Sequence, residues 1–434
     1  MVRRKAVWSS LAWLVFSGSS ALSEEPAKFL ALKGARFLDA EGRRWNDHGT
    51  LIVAGDRIHL LGKDVIPPPG AEVLDLGGWY VVPGLIDLHT HLLLHPYNET
   101  SWDDQVLKES LELRTIRAVT AARCTLESGF TTLRELGTEG AGFADVALRD
   151  SIQQGIIPGP RLLVTTKAIV ASGCYGPMGF DPRISFPKGA QEADGEDGMR
   201  KAVREQIAAG ADWIKVYADY RRRPDQPATA SFTVAELRAA VEEAGSVGFK
   251  VAAHATTPEG IRRAVEAGVA TIEHGTDADE EALALMKERG VVLCPTLAAV
   301  EATLRYRGWK TGEPDPPRMK SARAVFRMAL EMGVVIACGS DAGVFAHGDN
   351  VREIELMVES GMSPSMALQS ATTIAAKLLG RDQDLGRIAP GSIADLVVLE
   401  MDPLQDPSAL RDPLLVIASG RIVHDRRQPA AERR

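Results

Sequence analysis

Residues 250–274 read KVAAHATTPEGIRRAVEAGVATIEH. Residues 250–254 and 271–274 are short apolar runs that each close on a histidine. Between them Thr257-Pro258-Glu259 puts proline at the first position of a helical segment. Strand, helix and strand in that order make a βαβ unit, and the alternation continues in both directions. Strand candidates fall at 85–88, 131–134, 161–164, 213–217, 250–254, 271–274, 291–295 and 334–339, each followed by a helical stretch. Thr233 and Glu236 form a capping box ahead of Leu237 in one of these stretches. Eight such units predict an α/β fold, a (β/α)₈ TIM barrel.

The chain ends read differently. Short β-like pieces at 29–32, 51–53, 58–61, 72–74 and 80–82 are separated by turns such as Pro67-Pro68-Pro69-Gly70. Similar pieces recur at 394–399, 415–417 and 420–423. A small β-sandwich domain built from both ends is therefore expected, from residues 24–84 and 383–424, with the barrel at 85–382. The polar tail, 425–434, is expected to be disordered. No repeat of fixed period is present.

The first 23 residues carry the order of a signal peptide. Arg3, Arg4 and Lys5 precede an apolar stretch over residues 6–16, and Ala21-Leu22-Ser23 offers small residues before Glu24. An N-terminal anchor helix is the competing reading. Export to the periplasm or beyond predicts a mature start near Glu24. N-terminal sequencing from the native host tests it, and an intact Met1 on soluble cytosolic protein would refute it.

With 434 residues, 45% hydrophobic and 25% charged, the remainder is ordinary globular sequence. The formal charge of −8 argues against nucleic acid or an anionic membrane as partner. Cys124, Cys174, Cys294 and Cys338 are widely spaced without a Cys-x-x-Cys pair, which argues against a zinc–thiolate cluster. Cys294 and Cys338 lie in apolar runs and read as buried thiols; one disulfide stays open.

The chemistry begins at Asp87-Leu88-His89-Thr90-His91, directly after an apolar strand. Residues two apart on a strand share a side, so His89 and His91 can converge inside the barrel mouth as metal ligands. His254 and His274 end the fifth and sixth strand candidates, and Asp341 follows the eighth. All occupy the end of the barrel where active sites gather. Lys215 lies within the apolar run Trp213-Ile214-Lys215-Val216-Tyr217. Desolvation and nearby cations favour its neutral amine, which can take up carbon dioxide as a carbamate able to bridge two metals. Pairing with an interior carboxylate is the alternative.

These motifs, with Pro83-Gly84-Leu85-Ile86, Ile272-Glu273-His274-Gly275, Gly339-Ser340-Asp341-Ala342 and the tail motif Gly391-Ser392-Ile393-Ala394-Asp395-Leu396, resemble the amidohydrolase superfamily. Within it, the chain is most similar to the imidazolonepropionase-like and prolidase-like branch that holds the ochratoxin-hydrolysing amidohydrolases. The resemblance implies two divalent metals, usually Zn²⁺. His89, His91 and Asp341 would hold the buried ion, His254 and His274 the outer one, with carboxylated Lys215 across both. It implies Asp341 as proton carrier, Glu273 as either a support for a ligand or a structural salt bridge, and a homo-oligomer, commonly an octamer.

The chain departs from its relatives in the pocket. Ser172-Gly173-Cys174-Tyr175-Gly176 stands where many have a loop histidine, and Thr256 where many have Tyr or His. Candidate substrate contacts are Leu93 within Leu92-Leu93-Leu94, Cys174 and Tyr175 with Met178 and Phe180 beyond, and Tyr217. Arg222 within the run 221–223 and His347 are candidates for a substrate carboxylate; solvated charge and barrel packing are the bland readings. His48, His59, His95 and His424 are expected to lie outside the function. The implied substrate is a small-molecule amide, an N-acyl amino acid or dipeptide, with ochratoxin A among the candidates. Lactone or carbamate hydrolysis uses the same site. A mononuclear deaminase is disfavoured by Lys215 and by Thr257 where such enzymes carry a glutamate. A non-catalytic barrel is disfavoured by the full ligand set.

Overall fold

The structure, a computed structural model, describes residues 29–47, 49–181 and 183–427. The signal-peptide segment and His48 lie outside the described residues. No helix among the described residues is long and apolar enough to cross a membrane.

Seven barrel strands follow the expected order: Leu85–Thr90, Phe130–Glu135, Arg161–Val164, Ile214–Tyr217, Val251–Ala255, Thr271–His274 and Val292–Cys294. Successive pairs are parallel, as βαβ connections require. The third strand is broken. Arg161–Val164 pairs with the second strand, while Ile169–Val170 beyond it pairs with the fourth. Thr166, in left-handed conformation between them, turns the chain.

The eighth segment differs from the sequence expectation, because residues 334–339 form no continuous strand. Their backbone still closes the barrel. Ala337 N–H donates to Leu293 on one side, and Leu88 N–H donates to Cys338 on the other. The irregularity has a cause in the glycine-bracketed run Gly339-Ser340-Asp341-Ala342-Gly343. A Cβ on Gly339 would meet His89 Cβ at 2.9 Å, and one on Gly343 would meet His91 O at 2.6 Å. Glycine lets this segment lie against the first strand, and the same closeness bends it out of a regular ladder. Asp87 fastens the junction, its carboxylate accepting from Ser340 N and Oγ, His89 N and Asn350 Nδ2.

The helical stretches match their capping signals. Thr233 and Glu236 form the reciprocal box, and Thr257 caps Pro258–Ala267 with proline in its first turn. Both chain ends build the smaller domain. One sheet runs Arg57–Gly62, Thr50–Ala54, Phe29–Lys33, Glu72–Asp75. The other joins Arg421–Asp425, Leu415–Ala418 and Leu396–Leu399 to Tyr80–Pro83, Arg36–Leu38 and Trp45–Asn46. Leu32 and Leu51 of the first sheet and Phe37, Val81 and Leu396 of the second are buried in one core. Arg161 Nη1 bonds Asp395 Oδ2 at 2.8 Å, tying this domain to the third barrel strand.

Residues 425–427, expected in the polar tail, are structured. Asp425 pairs with Leu415 in the last strand and holds Arg427 in an ion pair at 2.7 Å; residues 428–434 lie outside the described ones. All four cysteines are free; Cys174, Cys294 and Cys338 are buried and Cys124 is exposed.

Candidate metal centre

The C-terminal ends of the barrel strands surround a cavity of about 390 Å³ whose lining includes His89, His91, His254, His274 and Asp341. Ring centroids of His89 and His91 are 5.3 Å apart, His89 and His274 5.1 Å, and His254 and His274 4.5 Å. Asp341 Oδ1 lies 3.3 Å from His91 Nε2 and 3.6 Å from His89 Nε2. One ligand atom each from His89, His274 and Asp341 fall within 4.8 Å of one another. Lys215 is only 1% exposed, and its Nζ has no hydrogen-bond partner among the described residues.

In three of the four imidazoles the far nitrogen is anchored, which orients the near one. His89 Nδ1 bonds Glu273 Oε2 at 2.8 Å, His91 Nδ1 bonds Gly137 O at 2.9 Å, and His274 Nδ1 bonds Thr296 Oγ1 at 2.7 Å. Glu273 thus combines the two roles open from sequence. It supports His89, not its neighbour His274, and also pairs with the fully buried Arg134 at 2.8 Å. Such anchoring partners fix ring orientation and raise ligand basicity.

Burial holds His89, His254 and His274 well below the usual histidine pKa, so they are neutral donors. For His91 burial acts the same way, but the Asp341 hydrogen bond and the charges of Glu139, Asp341 and Glu135 outweigh it, to about 9. Burial would raise Asp341, yet His89, His91 and Lys215 hold it below the ordinary carboxylate range. Burial lowers Lys215 against the opposing charges of Glu273 and Asp341. Three neutral imidazoles, a fourth on His91 whose proton a cation beside Asp341 would displace, an ionised carboxylate and a buried amine without a hydrogen-bond partner are a donor set that fits divalent ions.

Backbone strain gathers at the same place. Among the described non-glycine residues with positive φ, Glu139, His274, Thr296 and Asp341 all line the cavity. Such conformations each cost on the order of 1–3 kcal/mol and persist where surrounding structure fixes them.

The expected substrate contacts divide. Tyr175 and Tyr217 line the cavity, and Tyr217 stacks on His254 with centroids 4.4 Å apart. The other four do not line it. Leu93 is buried in the core, and its carbonyl accepts from Arg114 Nε. Cys174 packs in the same core. Arg222 is exposed, off the cavity. His347 turns back to bond Leu94 O, and burial lowers its pKa to about 4. Of their neighbours, Leu94 and Arg221 reach the cavity, while Met178 and Phe180 do not.

Sequence reasoning missed Glu139, Tyr97, Tyr220 and Arg318 in the lining. Glu139 Oε2 accepts from Trp102 Nε1 at 2.8 Å and from the Tyr175 hydroxyl, and its Oε1 lies 3.9 Å from His91 Nδ1. Its place just past the second barrel strand was the available signal. Asp219 was also missed. It accepts from Thr256 N and Thr257 N and sits 3.9 Å from His254 Nε2, holding the turn that carries this histidine.

The family model of the amidohydrolase family matches residues 80–423, which contain every element of this cavity. The chain belongs to the amidohydrolase family. Ochratoxinase of Aspergillus niger is 31% identical over 365 residues, 77% of this chain and 73% of the relative. A crystal structure of A. niger ochratoxinase has a TM-score of 0.78 over 92% of this chain and 96% of that one, at 26% identity. A Xaa-Pro dipeptidase solved with bound methionine in its active site has a TM-score of 0.80, 32% identity, and covers 91% of this chain and 99% of that one. Imidazolonepropionase of Symbiobacterium thermophilum is 27% identical over 383 residues, 81% of this chain and 82% of the relative. This amidohydrolase is therefore a hydrolytic enzyme of amide bonds, in the branch its motifs resemble, on a TIM barrel with a second β domain.

Proposed function

We propose that this amidohydrolase uses two divalent ions, Zn²⁺ by preference, to cleave the amide of N-acyl amino acids or dipeptides, ochratoxin A among them. The observation supporting it is the meeting of His89, His91, His254, His274 and Asp341 around one cavity, with the buried Lys215 amine unpartnered. His89, His91 and Asp341 would hold the inner ion and His254 and His274 the outer one, with Lys215 carboxylated to serve both. When bound, the ions supply Lewis acidity for the scissile carbonyl and lower the pKa of water. Asp341 Oδ1 accepts the proton of the attacking water and returns it to the leaving amine. Glu273 and Thr296 keep the rings of His89 and His274 aimed inward during that exchange.

The substrate end of the proposal draws on the aromatic wall. Four of the chain's six tyrosines, Tyr97, Tyr175, Tyr217 and Tyr220, line this cavity, which favours an apolar or aromatic substrate over a charged one. Ochratoxinase as a relative points the same way. Metal-loaded enzyme should cleave N-acyl phenylalanine roughly 10- to 200-fold better, in kcat/KM, than N-acyl aspartate, the range a shaped apolar pocket delivers. Ochratoxin A should yield phenylalanine. A preference for the aspartate compound would mean the wall has been misread, and turnover of lactones with no amide cleavage would move the enzyme to another reaction.

A further inference from the structure

We propose that Glu353, which does not itself line the cavity, is a positioning residue that frees the Thr296 hydroxyl to hold His274 for its ion. The inference rests on the two-ion reading above and adds what keeps one of the ligands aimed.

Thr296 stands at the N-cap of the helix Leu297–Tyr306, whose residues Ala299, Val300 and Thr303 line the cavity. A threonine in that place ordinarily turns its hydroxyl to accept from the first backbone N–H groups of its own helix. Ser101, Ser110, Thr233, Thr257 and Ser363 all do so in this chain. Thr296 does not. Its side chain makes no cap hydrogen bond, and Oγ1 lies instead 2.7 Å from His274 Nδ1. Its backbone is left-handed at φ 50°, a costly conformation for a β-branched residue.

The N–H that Thr296 gives up is met from another helix. Ala298 N donates to Glu353 Oε2 at 2.7 Å, and Glu353 belongs to the first turn of Val351–Glu359. This glutamate is fully buried, forms no ion pair among the described residues, and leaves Oε1 without a hydrogen-bond partner. Such burial costs stability, and what the side chain serves is the start of the helix that carries Thr296.

Removing that acceptor would orphan the Ala298 N–H, and the ordinary N-cap acceptor for it is Thr296 Oγ1. Capture by its own helix would also relieve the left-handed backbone of Thr296. Both effects draw the hydroxyl away from His274. Glu353 cancels the first by taking the N–H itself. A carboxylate that touches neither ion nor substrate thus sets the ring of one ligand, through Ala298 and Thr296.

The test uses Glu353→Met, which fills the space without an acceptor, and Glu353→Gln, which keeps an oxygen for Ala298. Thr296→Val and the double variant Glu353→Met/Thr296→Val complete the set. Chelator titration of Zn²⁺-loaded protein, with elemental analysis, reads the affinity of each ion. In Thr296→Val and in Glu353→Met one ion should weaken by roughly 10- to 100-fold, the cost of losing an anchoring partner, while the other is unchanged. Glu353→Gln should restore wild-type affinity. The double variant should lose no more than Thr296→Val, because Glu353 acts through that hydroxyl. Additive losses, equal weakening of both ions, or wild-type affinity in Glu353→Met overturns the inference. Glu353→Ala takes the place of Glu353→Met if the methionine variant does not fold. Nitrogen NMR of the His274 imidazole in metal-free protein separates this outcome from failure of the two-ion reading. A single Nδ1–H tautomer in wild type and Glu353→Gln, against a mixture in Glu353→Met and Thr296→Val, upholds the role of Glu353 whatever the ion count. The same single tautomer in every variant refutes it.

Discussion

Lys215→Ala should lose bound metal and hydrolysis together. Lys215 is sealed in the barrel on Ile214–Tyr217, beside the strand that carries His254, with its Nζ lacking a hydrogen-bond partner. The alternative raised by the sequence, a lysine neutralised by an interior carboxylate, is not what the packing provides. Glu273 and Asp341 act on its charge, but neither lies within ion-pair distance, and Glu273 is engaged by Arg134 and His89. A side chain that pays burial without a partner is explained if its amine is carboxylated and the new oxygens face the ligands. Loss of an anchoring partner alone costs roughly 10- to 100-fold in metal affinity. Loss of a shared anion should exceed that and take activity with it. Elemental analysis should find two ions per wild-type chain and fewer in the variant, with formate or acetate restoring part of the activity. An active Lys215→Ala, or one ion in wild type, would return the site to mononuclear chemistry of the deaminase kind.

The histidines of the candidate centre were legible because strand geometry alone places them. Each of His89, His91, His254 and His274 stands at or just past the end of a parallel strand, and that end is where a barrel opens. Residues 250–274 were equally legible because their boundaries are chemical: Thr257 and Pro258 start the helix, and Gly268 with φ 95° stops it. The eighth segment was less so. Its apolar run reads as a strand, but the contacts of Gly339 and Gly343 with the first strand, which distort it, join residues some 250 positions apart in sequence.

The pocket was legible only in part, for a different reason. Beyond a strand's end, side-chain direction is set by loop path, which a period of two does not encode. Within one arginine run the cavity takes Arg221 and leaves Arg222 in solvent; within one leucine run it takes Leu94 and leaves Leu93 in the core. His347 looked aimed at the site from its place after Asp341, yet the carbonyl of Leu94 holds it away. Arg318 opens a helix whose own pattern carries no hint of the cavity it faces.

Asp341→Asn should slow hydrolysis by about 10²–10⁴-fold, the value of a positioned acid and base, and weaken metal binding as well. The two losses have separate origins. Asp341 is held in a left-handed backbone at φ 63°, and its N–H donates to His89 O, so the carboxylate is fixed against the first-strand histidines whatever occupies the cavity. Asparagine is nearly the same shape and keeps an oxygen there, so the backbone and the contact with His91 should survive. It cannot carry a proton between water and leaving nitrogen. The loss measured at saturating metal should therefore deepen as the leaving amine becomes more basic, because an alkylamine must be protonated to depart and an activated anilide need not be. Measuring kcat on a graded series of leaving groups, with metal occupancy checked for each sample, separates the roles. A steeper dependence on amine pKa in Asp341→Asn than in wild type assigns proton delivery to this carboxylate. Equal losses across the series would reduce Asp341 to a ligand.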